Sequence, residues 1–320
     1  MDLHARPHPT SRAQVCLDGQ SGDNRPVPPP QPYDIVDLVE RPDRDFEAFF
    51  DPAEFETRAW LEDQHYWHLY RRQVVLDVLR AAGVGPSQAL LELGCGAGTV
   101  ATFLNQHGLR VDYSDVHGEA LRFAVARAGA RLDPTAPPPR FFRADITERL
   151  PPGRYEGVLL LDVLEHLPDD SAVMRAVRER LGERLTAPTG DGPRPLVLFT
   201  VPAFPGLWSA WDDLEKHKRR FTLAGARALA EGAGFEVERS TYFFFPLFFA
   251  AAAVKALRAV REALLGPPPA PRFAAMAESR NHPALNAAML TLLRAERSWL
   301  RDRDLPLGTS ILVLARPAPV

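Results

Sequence analysis

Leu90-Leu91-Glu92-Leu93-Gly94-Cys95-Gly96-Ala97-Gly98-Thr99 reads as an apolar strand that ends in alternating glycines and opens a helix. A short apolar run closed by glycine fits a strand buried on both faces of a parallel sheet. Glycines at such a strand end let the backbone approach a ligand closely. The spacing is GxGxG, not the GxGxxG that sets a dinucleotide's pyrophosphate on a helix N-terminus. A nucleoside joined to an amino acid needs less, namely a close turn and partners for an ammonium and a carboxylate. Glu92, two residues before Gly94, is a candidate structural or ammonium-orienting acid.

Outward from this turn the pattern alternates strand and helix, which predicts a parallel sheet with helices on both faces. The predicted strands are 89–93, 109–114, 140–144, 157–161, 196–201, 235–244 and 310–315, with helices over 99–106, 118–128, 170–184 and 223–233. Gly234 offers a left-handed stop for the last of these helices. Seven strands are therefore expected, the last antiparallel, with a helical insertion at 246–304 ahead of it. Residues 33–82 carry aromatic and apolar positions at helix-like spacing, among them Trp60, Trp67, Tyr70, Val74 and Val78. They are expected to form a helical region covering the site. The expected organisation is then a Pro-rich disordered tail at 1–32, this helical region, a core at 83–245, the insertion, and a last strand and tail at 305–320.

Composition narrows the function. A net charge of −3 supplies no overall field for nucleic acid. The two cysteines, Cys16 and Cys95, sit in unrelated settings and suggest no disulfide framework, which fits the cytoplasm. The N-terminus lacks the continuous apolar core of an export signal. The apolar run from Tyr242 to Val254 is too short to span a bilayer and runs into Lys255, Arg258 and Arg261. A core strand entering a helix is the simple reading, with peripheral contact at the inner membrane face as the alternative. The nine histidines are scattered, without HxxxH or paired-Cys spacing, so no metal site is expected. A P-loop and a GxSxG elbow are also missing from the sequence.

The segment ELGCGAGT at 92–99 resembles motif I of the class I S-adenosylmethionine-dependent methyltransferases, and the resemblance continues through most of residues 60–245. It implies a Rossmann-like α/β fold and S-adenosyl-L-methionine as methyl donor, with S-adenosyl-L-homocysteine as product. Carried onto this chain, it implies that Gly94, Cys95, Gly96 and Gly98 form the cofactor turn and that Asp115, followed by Val116, holds the ribose hydroxyls. A carboxylate can accept two hydroxyl hydrogen bonds at once. Asp112, mid-strand, is the local competitor. Asp145 and Ile146 fall at the adenine site, the acid accepting from the exocyclic amine and the apolar side chain packing on the ring; a turn cap is the plain alternative for Asp145. Leu161 to Leu167 resembles the DVLEH segment, which places Asp162 where donor and acceptor meet and makes His166 a candidate base. Arg71, in a helix that resembles one lying over the cofactor, is a candidate partner for the methionine carboxylate.

The stretch from Val201 to Thr222 resembles the acceptor side of bacterial members. There His217 is a second candidate base, and Trp208, Trp211 and Arg220, with Trp67 upstream, are candidate acceptor contacts. No Asn-Pro-Pro-Tyr or Asp-Pro-Pro-Tyr segment is present, which argues against methylation of exocyclic base nitrogens. The expected activity is methyl transfer to a small-molecule or lipid-linked, amphiphilic acceptor. A catalytically inactive cofactor-binding partner subunit and a Rossmann dehydrogenase are the alternatives.

Overall fold

Side-chain alternation along the strands explains the layered architecture. In the computed structural model, which describes residues 33–40, 54–185, 194–266 and 282–319, Leu159 and Leu161 point into one apolar layer while Val158 and Leu160 point into the other. Leu198 and Leu312 join the first layer, and Val197, Phe199, Ile311 and Val313 the second. A strand that must be apolar on both faces is what a sheet covered by helices on each side requires.

The strands are β1 (Ile35–Asp37), β2 (Ala89–Leu93), β3 (Arg110–Asp115), β4 (Phe141–Arg143), β5 (Gly157–Leu161), β6 (Leu196–Pro202), β7 (Phe235–Phe243) and β8 (Ser310–Pro317). They form one eight-stranded sheet in the order β1-β4-β3-β2-β5-β6-β8-β7, parallel except where β8 runs antiparallel between β6 and β7. Eight strands replace the seven expected. The extra one, Ile35-Val36-Asp37, lies in the region read as helical and pairs with Phe141 to Arg143 at the sheet edge. Three residues are too few for a visible alternation, so only the exposed edge of β4 creates this strand. The tail at 1–32, the aromatic positions Phe46, Phe49 and Phe50, and the link between the two insertion helices lie outside the described residues.

The helices are α1 (Glu54–Gln64), α2 (Tyr66–Ala81), α3 (Thr99–Gln106), α4 (Gly118–Arg131), α5 (Asp170–Leu185), α6 (Ala210–Leu214), α7 (Leu223–Gly232), α8 (Phe245–Leu265) and α9 (Pro283–Leu300). From β2 the chain first builds outward to β3 and β4, then crosses back to β5 on the other side of β2. In such open sheets the crevice lies beyond the strands' carboxyl ends at the strand where the order reverses. The turn after Leu93 is therefore at the mouth of the crevice by topology as well as by its glycines. Among the described residues no helix is long and apolar enough to cross a membrane.

The insertion is tied to the core by polar contacts. Glu296 on α9 is buried and accepts from Tyr70 Oη at 2.8 Å, Phe244 N at 2.6 Å and Phe245 N at 2.8 Å. One carboxylate thus caps the start of α8 and anchors it to α2. Arg297 adds a two-pronged pair with Asp77 at 2.6 and 2.8 Å. Glu296→Leu strands three donors, two of them buried, and at about 1–3 kcal/mol per unsatisfied buried group it should lower unfolding free energy by about 2 kcal/mol or more. Urea titration of wild type and variant measures this, and an unchanged midpoint would remove the capping role.

Candidate active site

The glycine turn is held shut by backbone bonds from the neighbouring strand. Gly94 N and Cys95 N both donate to Ser114 O, at 2.8 and 2.9 Å, and Gly98 N donates to Cys95 O at 2.9 Å. All three glycines have positive φ, but each for its own spatial reason. A Cβ on Gly94 would meet the Val163 side chain, and one on Gly98 would lie 2.7 Å from Ala124 Cβ and 3.0 Å from Tyr113 Cε1. At Gly96 the nearest atom is Glu62 Oε1 at 3.7 Å. Open space for a ligand is thus present at Gly96, whereas a Cβ at Gly94 or Gly98 would meet protein side chains.

Asp115 ends β3 directly beside this turn. Its Oδ2 accepts from Gly96 N at 2.8 Å, and its Oδ1 from His117 N at 2.9 Å, with His117 Nδ1 3.0 Å away. Burial works against its charge, yet the His117 contacts and the Gly96 N–H outweigh burial and hold the carboxyl below its ordinary value. Two oxygens offer about four acceptor sites, so capacity remains for a hydroxyl. Asp112, the competitor, is engaged by Arg140 and Tyr155 away from the cavity. Asp145 follows β4 and uses Oδ1 to accept from Thr147 N at 2.9 Å and Thr147 Oγ1 at 2.6 Å, so the turn-cap geometry is present; Ile146 and Val116 line the same cavity.

Asp162 follows β5 in a left-handed conformation, φ 58°. Phe204 after β6 and Phe244 after β7 also have positive φ, at 57° and 63°. Such residues cost about 1 kcal/mol or more each and tend to cluster where function over-determines the backbone. Here they turn the chain sharply at the crevice end of successive strands. Asp162 accepts from Thr200 Oγ1 at 3.2 Å and forms a short ion pair with Arg71. Arg71 therefore spends one guanidinium nitrogen on Asp162 while lying over the Trp67 ring, 4.5 Å from its centroid, and Trp67 stacks on Phe244.

Glu165 and His166 sit on a single 3-10 turn, Leu164–His166, and His217 reaches them from the turn after α6. Lys218 N donates to Glu165 O at 2.8 Å, which stitches the two segments together. Burial, reinforced by the nearby Asp162 charge, pushes the Glu165 carboxyl well above its ordinary range. Burial and the neighbouring His217 push the His166 imidazole down to about 3, so it is neutral and a weak proton acceptor. His217 Nδ1 lies 2.9 Å from Asp212 Oδ1, and Asp212 is held by Arg220 through two bonds of 2.7 and 3.0 Å. Arg220, read as an acceptor contact, is thus committed to Asp212 and to the Ala203 carbonyl. Trp208 donates from Nε1 to Asp213 Oδ1, and Trp208 and Trp211 both border the cavity.

Several site residues have no motif. Arg127 on α4 donates to the Ala97 carbonyl, to Thr99 Oγ1 at 2.6 Å and to Ala59 O at 2.9 Å, and Glu62 on α1 accepts from Thr99. This network fixes α1 over the glycine turn. Its one sequence signal is an arginine in the apolar stripe of Ala120, Ala124 and Ala128. Asp212 is announced only by the Ser209-x-x-Asp212 capping box of α6. His117 carries no signal beyond its nearness to Asp115.

Gly94, Gly96, Asp115, Asp145, Asp162, Arg71, Glu165, His166, His217, Trp208 and Trp211 all line one cavity of about 1270 Å³, with Arg127 and Asp212 supporting it from behind. Its lining joins Asp115, Gly96, Asp145 and Ile146 with Asp162, Glu165, His166 and His217, and with Trp208, Trp211 and the α8 residues Leu247 and Val254. The volume is large enough for more than one small molecule.

Residues 91–184 match the family described as "Methyltransferase domain". The chain is 35% identical over 102 residues to the ubiquinone biosynthesis O-methyltransferase of Pseudomonas aeruginosa strain UCBPP-PA14, covering 32% of this chain and 41% of that protein. It is 26% identical over 136 residues to the enzyme of the same name from Ralstonia nicotianae, covering 39% and 55%. The chain thus spans about two fifths to just over half the length of these curated relatives. In fold it is similar to a phosphoethanolamine N-methyltransferase of Haemonchus contortus in complex with S-adenosyl-L-methionine, with a TM-score of 0.54 at 15% identity, over 88% of this chain and 61% of that one. Residues 91–184 thus match a methyltransferase domain, and the chain has the Rossmann-like α/β fold of S-adenosylmethionine-dependent methyltransferases, with acids placed in order after β3, β4 and β5.

Proposed function

We propose that this protein transfers the methyl group of S-adenosyl-L-methionine to an oxygen of a small amphiphilic molecule. The observation that carries the reading is the continuous cavity, whose lining joins donor-site residues such as Gly96 and Asp115 with Trp208, Trp211 and α8. The donor-site residues suit the cofactor group by group. Asp115 retains acceptor capacity for a ribose hydroxyl, Asp145 and Ile146 can meet an adenine edge and face, and the open space at Gly96 admits a ligand that a Cβ would obstruct. Glu92, buried under the turn with Oε2 meeting no donor among the described residues, can receive the ammonium, and Arg71 the carboxylate.

The bound cofactor supplies a methyl already activated by its sulfonium charge. What the chain contributes is alignment and removal of the acceptor's proton. Asp162 and Arg71 line the same cavity, and the acceptor proton is received at the cluster of Glu165, His166 and His217. The relatives named for ubiquinone biosynthesis support an O-methyl acceptor with an apolar part. Consistent with this, α8 leaves Leu257, Val260 and Leu264 exposed, which suits an acceptor met at a lipid surface. Liposome flotation should recover the protein with the vesicles, and recovery only in the soluble fraction counts against that route.

Incubating the protein with isotope-labelled donor and a set of hydroxylated aromatic amphiphiles, with matched amines as comparison, tests the main reading. Label in the hydroxyl compounds is expected; label only in amines, or S-adenosylhomocysteine binding no tighter than NAD, would remove it.

Glu92 makes the donor site pH-dependent. Burial pushes its carboxyl up to about 8, Arg71 opposing. Below that pH the free protein holds it protonated, and an arriving ammonium favours the carboxylate. Affinity for S-adenosylhomocysteine should rise up to tenfold per pH unit between about 6 and 8, with release of up to one proton on binding. Calorimetry in buffers of different ionisation enthalpy reads this proton directly; a flat profile would place the ammonium elsewhere.

A further inference from the structure

We propose that Glu165, His166 and His217 form a binding site for one divalent first-row transition-metal ion, of the zinc type, in the cavity. Each residue offers a ligand atom, and these atoms lie within 4.8 Å of one another. His217 Nε2 and Glu165 Oε1 are 4.0 Å apart. Ligands at about 2.1 Å from a tetrahedral ion stand about 3.4 Å apart, so modest side-chain rotation completes the site. Two imidazoles and one carboxylate, with further positions open to the cavity, suit a transition ion better than magnesium, which prefers oxygen ligands.

Two observations separate this cluster from a simple base. The Glu165 side chain is fully buried, and apart from Glu165's own backbone N–H neither carboxylate oxygen meets a hydrogen-bond donor among the described residues. Such a group must hold either a proton or a cation. Both histidines, moreover, are oriented from behind, as metal-bound imidazoles usually are. His217 Nδ1 is engaged by Asp212, itself clamped by Arg220, which leaves Nε2 facing Glu165. His166 makes a backbone hydrogen bond with Lys216, whose left-handed conformation, φ 55°, delivers His217 to the cluster. A lone base would need one oriented imidazole; here two flank one buried carboxylate.

The site itself does not depend on the proposed reaction, but its use does rest on that reading. An acceptor oxygen drawn to the cation would lose its proton more easily, and because the ion then occupies the lone pairs of Glu165, His166 and His217, that proton passes to water rather than to the cluster. The O–CH3 bond then forms as the S–CH3 bond breaks, leaving neutral S-adenosylhomocysteine.

The test uses full-length protein stripped with chelator and titrated separately with Zn2+, Co2+ and Mg2+, read by elemental analysis, calorimetry and the visible absorption of Co2+. One equivalent of Zn2+ or Co2+ is expected to bind. E165Q and H217Q should weaken it about 100-fold and D212N about 10-fold, in line with ligand and orienting roles. S-adenosylhomocysteine binding and circular dichroism of each variant establish that it is folded, and a Zn2+-dependent rise in thermal midpoint should appear in wild type and vanish in E165Q. Wild type that binds no transition metal at about 0.1 mM, binding of Mg2+ alone, or undiminished binding by folded E165Q and H217Q would each overturn the site. Metal binding without methyl transfer to any acceptor would keep the site and remove the reaction. Full transfer by metal-free protein, abolished by H217Q, would make His217 the base and overturn the metal's use.

Discussion

Asp115→Ala is expected to lower affinity for S-adenosylhomocysteine at least tenfold, with little change in fold. A hydrogen bond from a ribose hydroxyl to a buried carboxylate is charge-assisted, worth about 1.5–3 kcal/mol, and it disappears. The variant also frees Gly96 N and His117 N, which now donate to the carboxylate at 2.8 and 2.9 Å, so the turn loses one of its ties to β3 while the Gly94 and Cys95 bonds to Ser114 O remain. Asp115→Asn separates the contributions. It keeps the shape but presents one amide donor to N–H groups that already donate, and should lose about tenfold or more. Calorimetric titration with S-adenosylhomocysteine measures both variants. Wild-type affinity in Asp115→Ala would move the ribose site to another acid, and the engagement of Asp112 by Arg140 and Tyr155 means it could not be that one.

Gly98→Val should be among the most destabilising single changes in the cofactor turn, by about 3 kcal/mol or more. An L-residue at φ 75° costs about 1–2 kcal/mol, and the added Cβ would lie 2.7 Å from Ala124 Cβ and 3.0 Å from the Tyr113 ring. Ala124 belongs to a helix and Tyr113 to a central strand, so neither can step aside, and overpacking adds about 1–3 kcal/mol. Gly96→Ala is the contrasting variant. Its Cβ meets nothing closer than 3.7 Å, so unfolding should change by about 1 kcal/mol from the backbone alone while cofactor affinity falls. Urea unfolding paired with ligand titration distinguishes the two. Equal effects on stability would mean that the glycines share one reason for being there.

Much of the candidate site's layout was legible because it is local. Asp115, Asp145 and Asp162 each follow a strand directly, and a residue at a strand's carboxyl end reaches the crevice whatever the details of packing. The alternation of apolar runs with helical stripes is likewise a short-range pattern, and it predicted the central strands within a residue or two. At Gly98 the sequence asked for close approach, and the structure adds a packing reason, since a Cβ there would meet Ala124 and Tyr113. β1 was missed because a three-residue edge strand owes its conformation to its neighbour, not to its own sequence.

The histidine and carboxylate cluster in the cavity is the clearest case of the opposite kind. Scattered histidines at no metal-ligand spacing gave no reason to join His217 to Glu165 and His166, nor Arg127 to Glu62 across 65 residues. Those meetings depend on which strands are neighbours and on how sharply the chain turns after β5 and after α6. Periodicity and residue type alone thus determined the α/β alternation, the order of the acids and the donor they resemble. Only the tertiary structure decided which charges are buried together, because burial and partner are properties of distance in space, and sheet order sets that distance.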